Sequence, residues 1–85
     1  MYYVYVLQNE LDQLYFGSTN DLKRRLHEHQ NHKNRSTKGF SWTLIYYEAY
    51  QAESDARQRE HMIKHNGGTK RALKSRILRS RQLES

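Results

Sequence analysis

Residues 15–29 read YFGSTNDLKRRLHEH. The stretch starts as a strand at Tyr15 and Phe16, turns at Gly17, and continues as a helix with Leu22 and Leu26 on one face. Ser18 to Asp21 offers capping side chains, and the helix is predicted to run to about Gln30. A helix advances about 100° per residue, so with Leu22 at zero, Leu26 falls at about 40°, His29 at about −20° and Arg25 at about −60°. His29 therefore lies within the apolar stripe and Arg25 at its edge. That is the side a small domain normally buries.

Working outward, YYVYVLQ (2–8) is rich in aromatic and β-branched residues and reads as a strand. Tyr3, Tyr5 and Leu7 point one way, and Tyr2, Val4 and Val6 the other. NELDQ (9–13) is turn-like, and LYFG (14–17) is a second short strand, which makes a hairpin. NHKNRSTKGFS (31–41) has no apolar period and reads as a basic, polar loop; WTLIYYEAY (42–50) is a third strand. AESDARQREHMIKH (52–65) is a second helix, broken by Gly67–Gly68. Thr69 then caps a third helix from 70 to about 82, with Leu73 and Ile77 as its buried row. The predicted order is ββαβαα, an α+β domain spanning 1–85 with a basic C-terminal helix at about 69–83. There is no repeat, no low-complexity linker and no proline.

Composition narrows the class. A chain of 85 residues buries only about 60–65% of the surface its unfolded form exposes, so each apolar position matters. With no cysteine, disulfides and thiolate metal sites are excluded. No apolar run approaches the roughly 18 residues needed to span a membrane. The N-terminus has no basic n-region and no cleavage site, so it reads as the first strand of a soluble cytoplasmic protein. The net charge is +6 and unevenly placed. From His61 to Leu83 there are seven basic residues and no acidic one, whereas the first 60 residues carry eight of each. Such a basic stripe is an electrostatic footprint for a polyanion, here nucleic acid, against the alternative of a solvated helix face.

The second helix repeats the anomaly of the first. With Ala56 at zero, Ile63 falls at about −20°, Ala52 at about −40° and Glu60 at about 40°. A carboxylate on that face is costly unless it is paired, hydrogen-bonded or bound to a metal. One reading is a buried Arg25–Glu60 salt bridge with His29 as a satisfied core histidine. The other adds Tyr5 and Tyr15, whose phenols can face the same cleft. Two phenols, a guanidinium, an imidazole and a carboxylate are more than a thin core needs.

At these residues the sequence resembles the GIY-YIG nuclease family, in its small stand-alone subgroup. The short motifs stand as YVY (3–5) and YFG (15–17), with Tyr5 and Tyr15 ten apart. DLKRRLHEH (21–29) is similar to the family's first helix, its arginine falling on Arg25 and its histidine on His29. DARQREHMIK (55–64) is similar to the second, its metal-binding glutamate falling on Glu60. Three departures are visible. Tyr3 stands where the family name has glycine, Ser18 stands where some members carry a lysine, and Asn66 reads as a helix terminator rather than as a distal functional asparagine.

The resemblance implies a small three-stranded antiparallel sheet flanked by helices, and cleavage of phosphodiester bonds with one divalent metal ion. Glu60 would be the metal ligand, which suits Mg²⁺ (or Mn²⁺). Arg25 would hold non-bridging phosphate oxygens, Tyr5 would accept a proton from water or position it, and Tyr15 and His29 would orient water and phosphate. Lys33, Arg35, Lys38, Lys64, Lys70, Arg71, Lys74 and Arg76 would track the backbone of DNA. No reader module accompanies the domain, so branched or single-stranded shape, or a partner protein, would supply specificity, in a setting such as DNA repair or recombination. The rival from another class is a non-catalytic DNA- or RNA-binding module that kept the fold, and RNA as the substrate stays open. His61 and His65 have the i, i+4 spacing of a zinc helix but lack a third ligand, and read as surface cations. Phe40, Trp42, Tyr46 and Tyr47 read as core or sheet-face residues rather than base-stacking platforms.

Overall fold

The computed structural model describes residues 1–31 and 39–82. Strands β1 (Tyr2–Asn9), β2 (Leu14–Thr19) and β3 (Trp42–Tyr50) form one antiparallel sheet in the order β2-β1-β3. Helix α1 (Leu22–Gln30) follows β2; α2 (Glu53–His65), α3 (Gly67–Arg76) and α4 (Leu78–Gln82) follow β3. The α+β class and the ββαβαα order read from the sequence are those of the protein, with the last predicted helix divided in two. No helix among the described residues is long and apolar enough to cross a membrane.

Alternation along β1 creates two cores. Val4 and Val6 face Phe16, Ala56, Ile63, Leu73 and Ile77, so α2 and α3 cover this side. Tyr5 and Leu7 face Trp42, with Tyr15, Leu22, Leu26, Phe40 and Leu44 packed around them, so α1 covers the other. The central strand is therefore buried on both faces, which explains its run of apolar residues without a polar side. The hairpin is closed by Asn9, whose side-chain oxygen accepts from the backbone of Leu11 and Gln13 at 3.0 and 2.9 Å. Asp12 takes the left-handed conformation there, with φ 62°, as an Asx-type turn allows.

Three local expectations are revised. Gly17 is no turn: β2 runs through it to Thr19, and Gly17 pairs with Tyr5 in the sheet. A Cβ at position 17 would lie 2.6 Å from the Tyr5 hydroxyl oxygen, so glycine is there to admit a ring. The glycine pair does not separate the last helices either. Asn66 ends α2 and caps α3, its Oδ1 accepting from the Thr69 amide at 2.9 Å, and the glycines are the first turn of α3. An asparagine side chain satisfies an orphan first-turn amide better than Thr69 could from inside the helix. Ala52, placed on the apolar face by periodicity, is exposed as the residue preceding α2.

Candidate active site

The start of α1 and the first half of α2 flank the end of β2, and between them lies an open cleft of about 430 Å³. Asp21 fixes the entry to α1 by accepting from the Arg24 amide at 3.0 Å, which places Arg24 and Arg25 on one wall. The other wall is α2, with Arg57 and Glu60 one turn apart. Ser18, Thr19 and Asn20 form the floor. The sequence reading named Arg25 and Glu60 but missed the rest. Arg57, three residues before Glu60 on the same helix face, was the legible one.

Arg25 and Glu60 do not pair with each other. Nη1 of Arg25 reaches Glu28 on its own helix at 3.2 Å. Its guanidinium also lies against the Tyr5 phenol, an approach that raises the arginine pKa. The Arg25 Nε is buried and has no hydrogen-bond partner among the described residues. Glu60 accepts from the Ser18 hydroxyl at 2.5 Å and pairs with Lys64 at 2.8 Å. Burial alone would raise its pKa, but the bonds from Lys64 and Ser18 outweigh it and bring the carboxyl below its ordinary value. The salt-bridge reading of the buried faces is thereby replaced: the two charges hold opposite walls, each with its own local partner.

Behind Arg25, the Tyr5 hydroxyl meets His29 Nε2 at 2.8 Å. Both residues are almost wholly buried, at 1% and 0% exposure. Burial pushes the Tyr5 phenol up to about 12, against the opposing pull of Arg25. His29 is pushed below its ordinary pKa, first by burial and then by the Arg25 charge, so its ring is neutral near pH 7. Tyr15 packs edge-on to His29, with ring centroids 4.8 Å apart, and tilted against Tyr5 at 6.3 Å. Tyr5, Tyr15, Arg25 and His29 are thus brought together on the α1 side of the sheet. Glu60 approaches from the α2 side, close enough to disfavour ionisation of Tyr5.

Beside Glu60 the cleft is lined by Ser18, Thr19 and Asn20, each of which has a side-chain oxygen. Side-chain oxygens around the Glu60 carboxylate, with the Glu53 carboxylate on the same wall paired to Arg57, suit a hard cation that keeps most of its water, such as Mg²⁺ or Mn²⁺. Among the described residues, no three His, Cys, Asp or Glu side chains converge, so Glu60 would be the principal protein ligand.

The predicted backbone-tracking cations are more scattered. Lys64 pairs with Glu60 at the cleft edge. Lys70 lies over the Phe16 ring, 5.6 Å from its centroid. Arg71, Lys74 and Arg76 are exposed on α3. Lys33, Arg35 and Lys38 lie outside the described residues. Arg81, part of the basic stripe, is pinned to the hairpin through Gln8 and the Asp12 carbonyl, both at 3.3 Å. His61 and His65 are exposed on α2 with their rings 4.4 Å apart. Trp42 is core, whereas Tyr47 is a sheet-face residue of β3 that stays 53% exposed.

The cleft thus has a guanidinium on one wall, a carboxylate on the other and a buried phenol–imidazole pair behind. The GIY-YIG catalytic domain matches residues 1–74, and the chain belongs to this nuclease family. Among the proteins it is similar to are several with the name UPF0213 protein. One from Limosilactobacillus reuteri (strain DSM 20016) is 38% identical over 68 residues, spanning 75% of this chain and 71% of the relative. One from Natronomonas pharaonis is 37% identical over 79 residues, spanning 91% and 89%. A third, from Vibrio campbellii, is 35% identical over 72 residues, spanning 82% and 69%. No solved structure matches the chain significantly.

Proposed function

We propose that the protein is a divalent-metal-dependent endonuclease that cleaves phosphodiester bonds in DNA, directed by strand structure rather than by base sequence. The observation that carries this reading is the separation of Arg25 from Glu60 across the cleft. Arg25 lines the cleft, and beyond its contacts with Glu28 and Tyr5 its guanidinium has N–H groups to offer a phosphate oxygen there. A guanidinium left short of its full set of bonds, facing an ionised carboxylate it does not touch, is an arrangement a folding scaffold has no use for.

In this reading Glu60 would hold the cation, and Lys64, which now pairs with the carboxylate, would have to yield it. A bound divalent cation supplies Lewis acidity at the scissile phosphate and charge compensation for the leaving oxygen. Arg25 binds a non-bridging oxygen with directional, charge-assisted bonds that strengthen as charge accumulates there. Arg24 and Arg57 hold the flanking phosphates. A phenol with pKa about 12 would strip a proton from water only if its own proton could leave. Where His29 carries its own proton on Nδ1, its Nε2 accepts from the phenol and gives that proton a route, so Tyr5 would take the water proton as its own moves to His29. Tyr15 packs the His29 ring into position.

The test is cleavage of plasmid, branched and single-stranded DNA with and without Mg²⁺ or Mn²⁺, by the wild type and by Glu60→Ala. The wild type should cut only with metal. Glu60→Ala should lose about a thousandfold or more in rate while keeping its affinity for DNA. Full activity in Glu60→Ala ends the assignment. Salt-sensitive binding without cleavage on every substrate identifies a binding module instead.

A further inference from the structure

On the α1 side of the sheet a second depression lies beside the cleft. It is a groove of about 490 Å³ walled by Leu22, Leu26 and Leu44, with Tyr3 and Tyr47 in the sheet behind and Lys23 at the rim. Tyr3 and Tyr47 meet edge to face, with centroids 6.0 Å apart and planes at 68°. Tyr5 and Trp42 are buried in the core under α1, whereas Tyr47 stays 53% exposed. Asn20 lines both this groove and the cleft, so the two depressions join at one residue. Asp21 also reaches the groove, but its carboxylate is engaged in capping α1.

We propose that this groove is a nucleobase subsite, which stacks an unpaired base of the strand whose phosphate lies in the cleft. The inference rests on the nuclease reading and extends it to the substrate. A flat aromatic occupant matches a slot with aromatic rings behind and leucine side chains as walls. An ammonium at the rim and a cleft carrying Arg24, Arg25 and Arg57 next door favour an occupant tethered to phosphates over an apolar peptide. The shared Asn20 sets the path: a strand with one phosphate against Arg25 turns its neighbouring base past Asn20 into the groove. A base stacked and paired within a duplex cannot enter, so the subsite selects single strands, flaps and frayed ends over intact duplex.

The test is binding of a labelled single-stranded deoxyoligonucleotide and of a blunt duplex of equal length, in EDTA, followed by fluorescence anisotropy. Tyr47→Ala should weaken single-strand affinity about tenfold and leave duplex affinity unchanged, and Tyr47→Trp should retain or tighten single-strand binding. Tyr47 is largely exposed, so both variants should keep the wild-type circular dichroism and melting behaviour. Equal affinities of Tyr47→Ala and wild type for the single strand would overturn the proposal. So would an equal loss on single strand and duplex. A self-association that Tyr47→Ala abolishes, with single-strand affinity intact, would assign the groove to a second copy and also overturn it. Because no metal is present, these outcomes are independent of the Glu60→Ala cleavage result. The groove can fail while the nuclease assignment stands.

Discussion

Two clusters in this small domain are built from the same residue types and behave oppositely. On the outer strand, Glu48 accepts two bonds from Arg59, at 2.9 and 3.0 Å, and one each from Tyr46 and Tyr50, at 2.7 and 2.6 Å. At the cleft, the same composition of two tyrosines, an arginine and a glutamate is present as Tyr5, Tyr15, Arg25 and Glu60, with His29 added. In the first cluster the guanidinium and carboxylate meet fork to fork. In the second they stand on different walls. The difference separates scaffold from site. A carboxylate with four inward bonds has no capacity left for a ligand, and it fastens β3 to α2. A carboxylate held by one serine and one flexible lysine, opposite an arginine with a spare donor, leaves room for a phosphate and a cation.

The largest expected contrast comes from removing the two glutamates in parallel. Glu60→Ala should abolish metal-dependent cleavage with a smaller loss of melting temperature than Glu48→Ala. Glu48→Ala should cost about 3 kcal/mol of stability, because it strands Arg59 and two phenols in a half-buried site. Urea melts alongside cleavage assays separate the two. If Glu60→Ala were the more destabilising, the cleft carboxylate would belong to the scaffold after all.

Next in size is the chemistry of Arg25. Arg25→Ala should lower turnover about 10²–10³-fold, and Arg25→Lys should recover little of it, since an ammonium lacks the planar fork. Single-turnover rates at saturating DNA measure this. Recovery by lysine would mean that positive charge alone is required there.

Gly17 sharpens the comparison through packing. Gly17→Ala brings a methyl group against the Tyr5 ring and should cost about 1–3 kcal/mol, with loss of activity as the Tyr5–His29 bond opens. A calorimetric melt paired with a cleavage assay reads both effects. An unchanged rate would show that the phenol–imidazole contact is dispensable.

The smallest effect is the pH dependence set by His29. Its folded pKa lies below its ordinary value of about 6.5, because burial and Arg25 disfavour the charged ring. As the pH falls below about 6.5, the unfolded chain takes up a proton that the folded chain resists, so stability declines until the lowered folded pKa is passed. Melting temperatures between pH 7.5 and 5 should show this slope, and His29→Gln should flatten it. Glu48 and Glu60 act in a separate, more acidic window. Both are held below the ordinary carboxylate value, so their stabilisation is present above about 4.5 and lost on further acidification.

Much of this was legible along the chain. Alternation in residues 2–8 marked the central strand, and helical spacing placed His29, Ile63, Leu73 and Ile77 in the core, where all are buried. The same spacing marked Arg25 and Glu60 as polar groups on faces that should have been apolar. Ser18 read as a helix cap rather than as the partner of Glu60, because β2 was ended two residues early, and Arg57 looked like one more exposed charge. The Glu48–Arg59 pair had no local signal, since its members are eleven residues apart on a strand and a helix.

By itself, then, the sequence determined the elements, their order and which polar side chains were out of place. Those follow from periodicity, a property of neighbours in the chain. Only the tertiary structure decided which out-of-place charges would meet. Arg25 and Glu60 could have formed one buried bridge, as Arg59 and Glu48 do. They remain apart because Ser18 near the end of β2 and Lys64 on α2 hold the carboxylate on one side, while Gly17 lets Tyr5 lie against the arginine on the other. Pairing of charges in a thin core is set by how the layers stack around a strand end, and that distance is written nowhere in the order of residues.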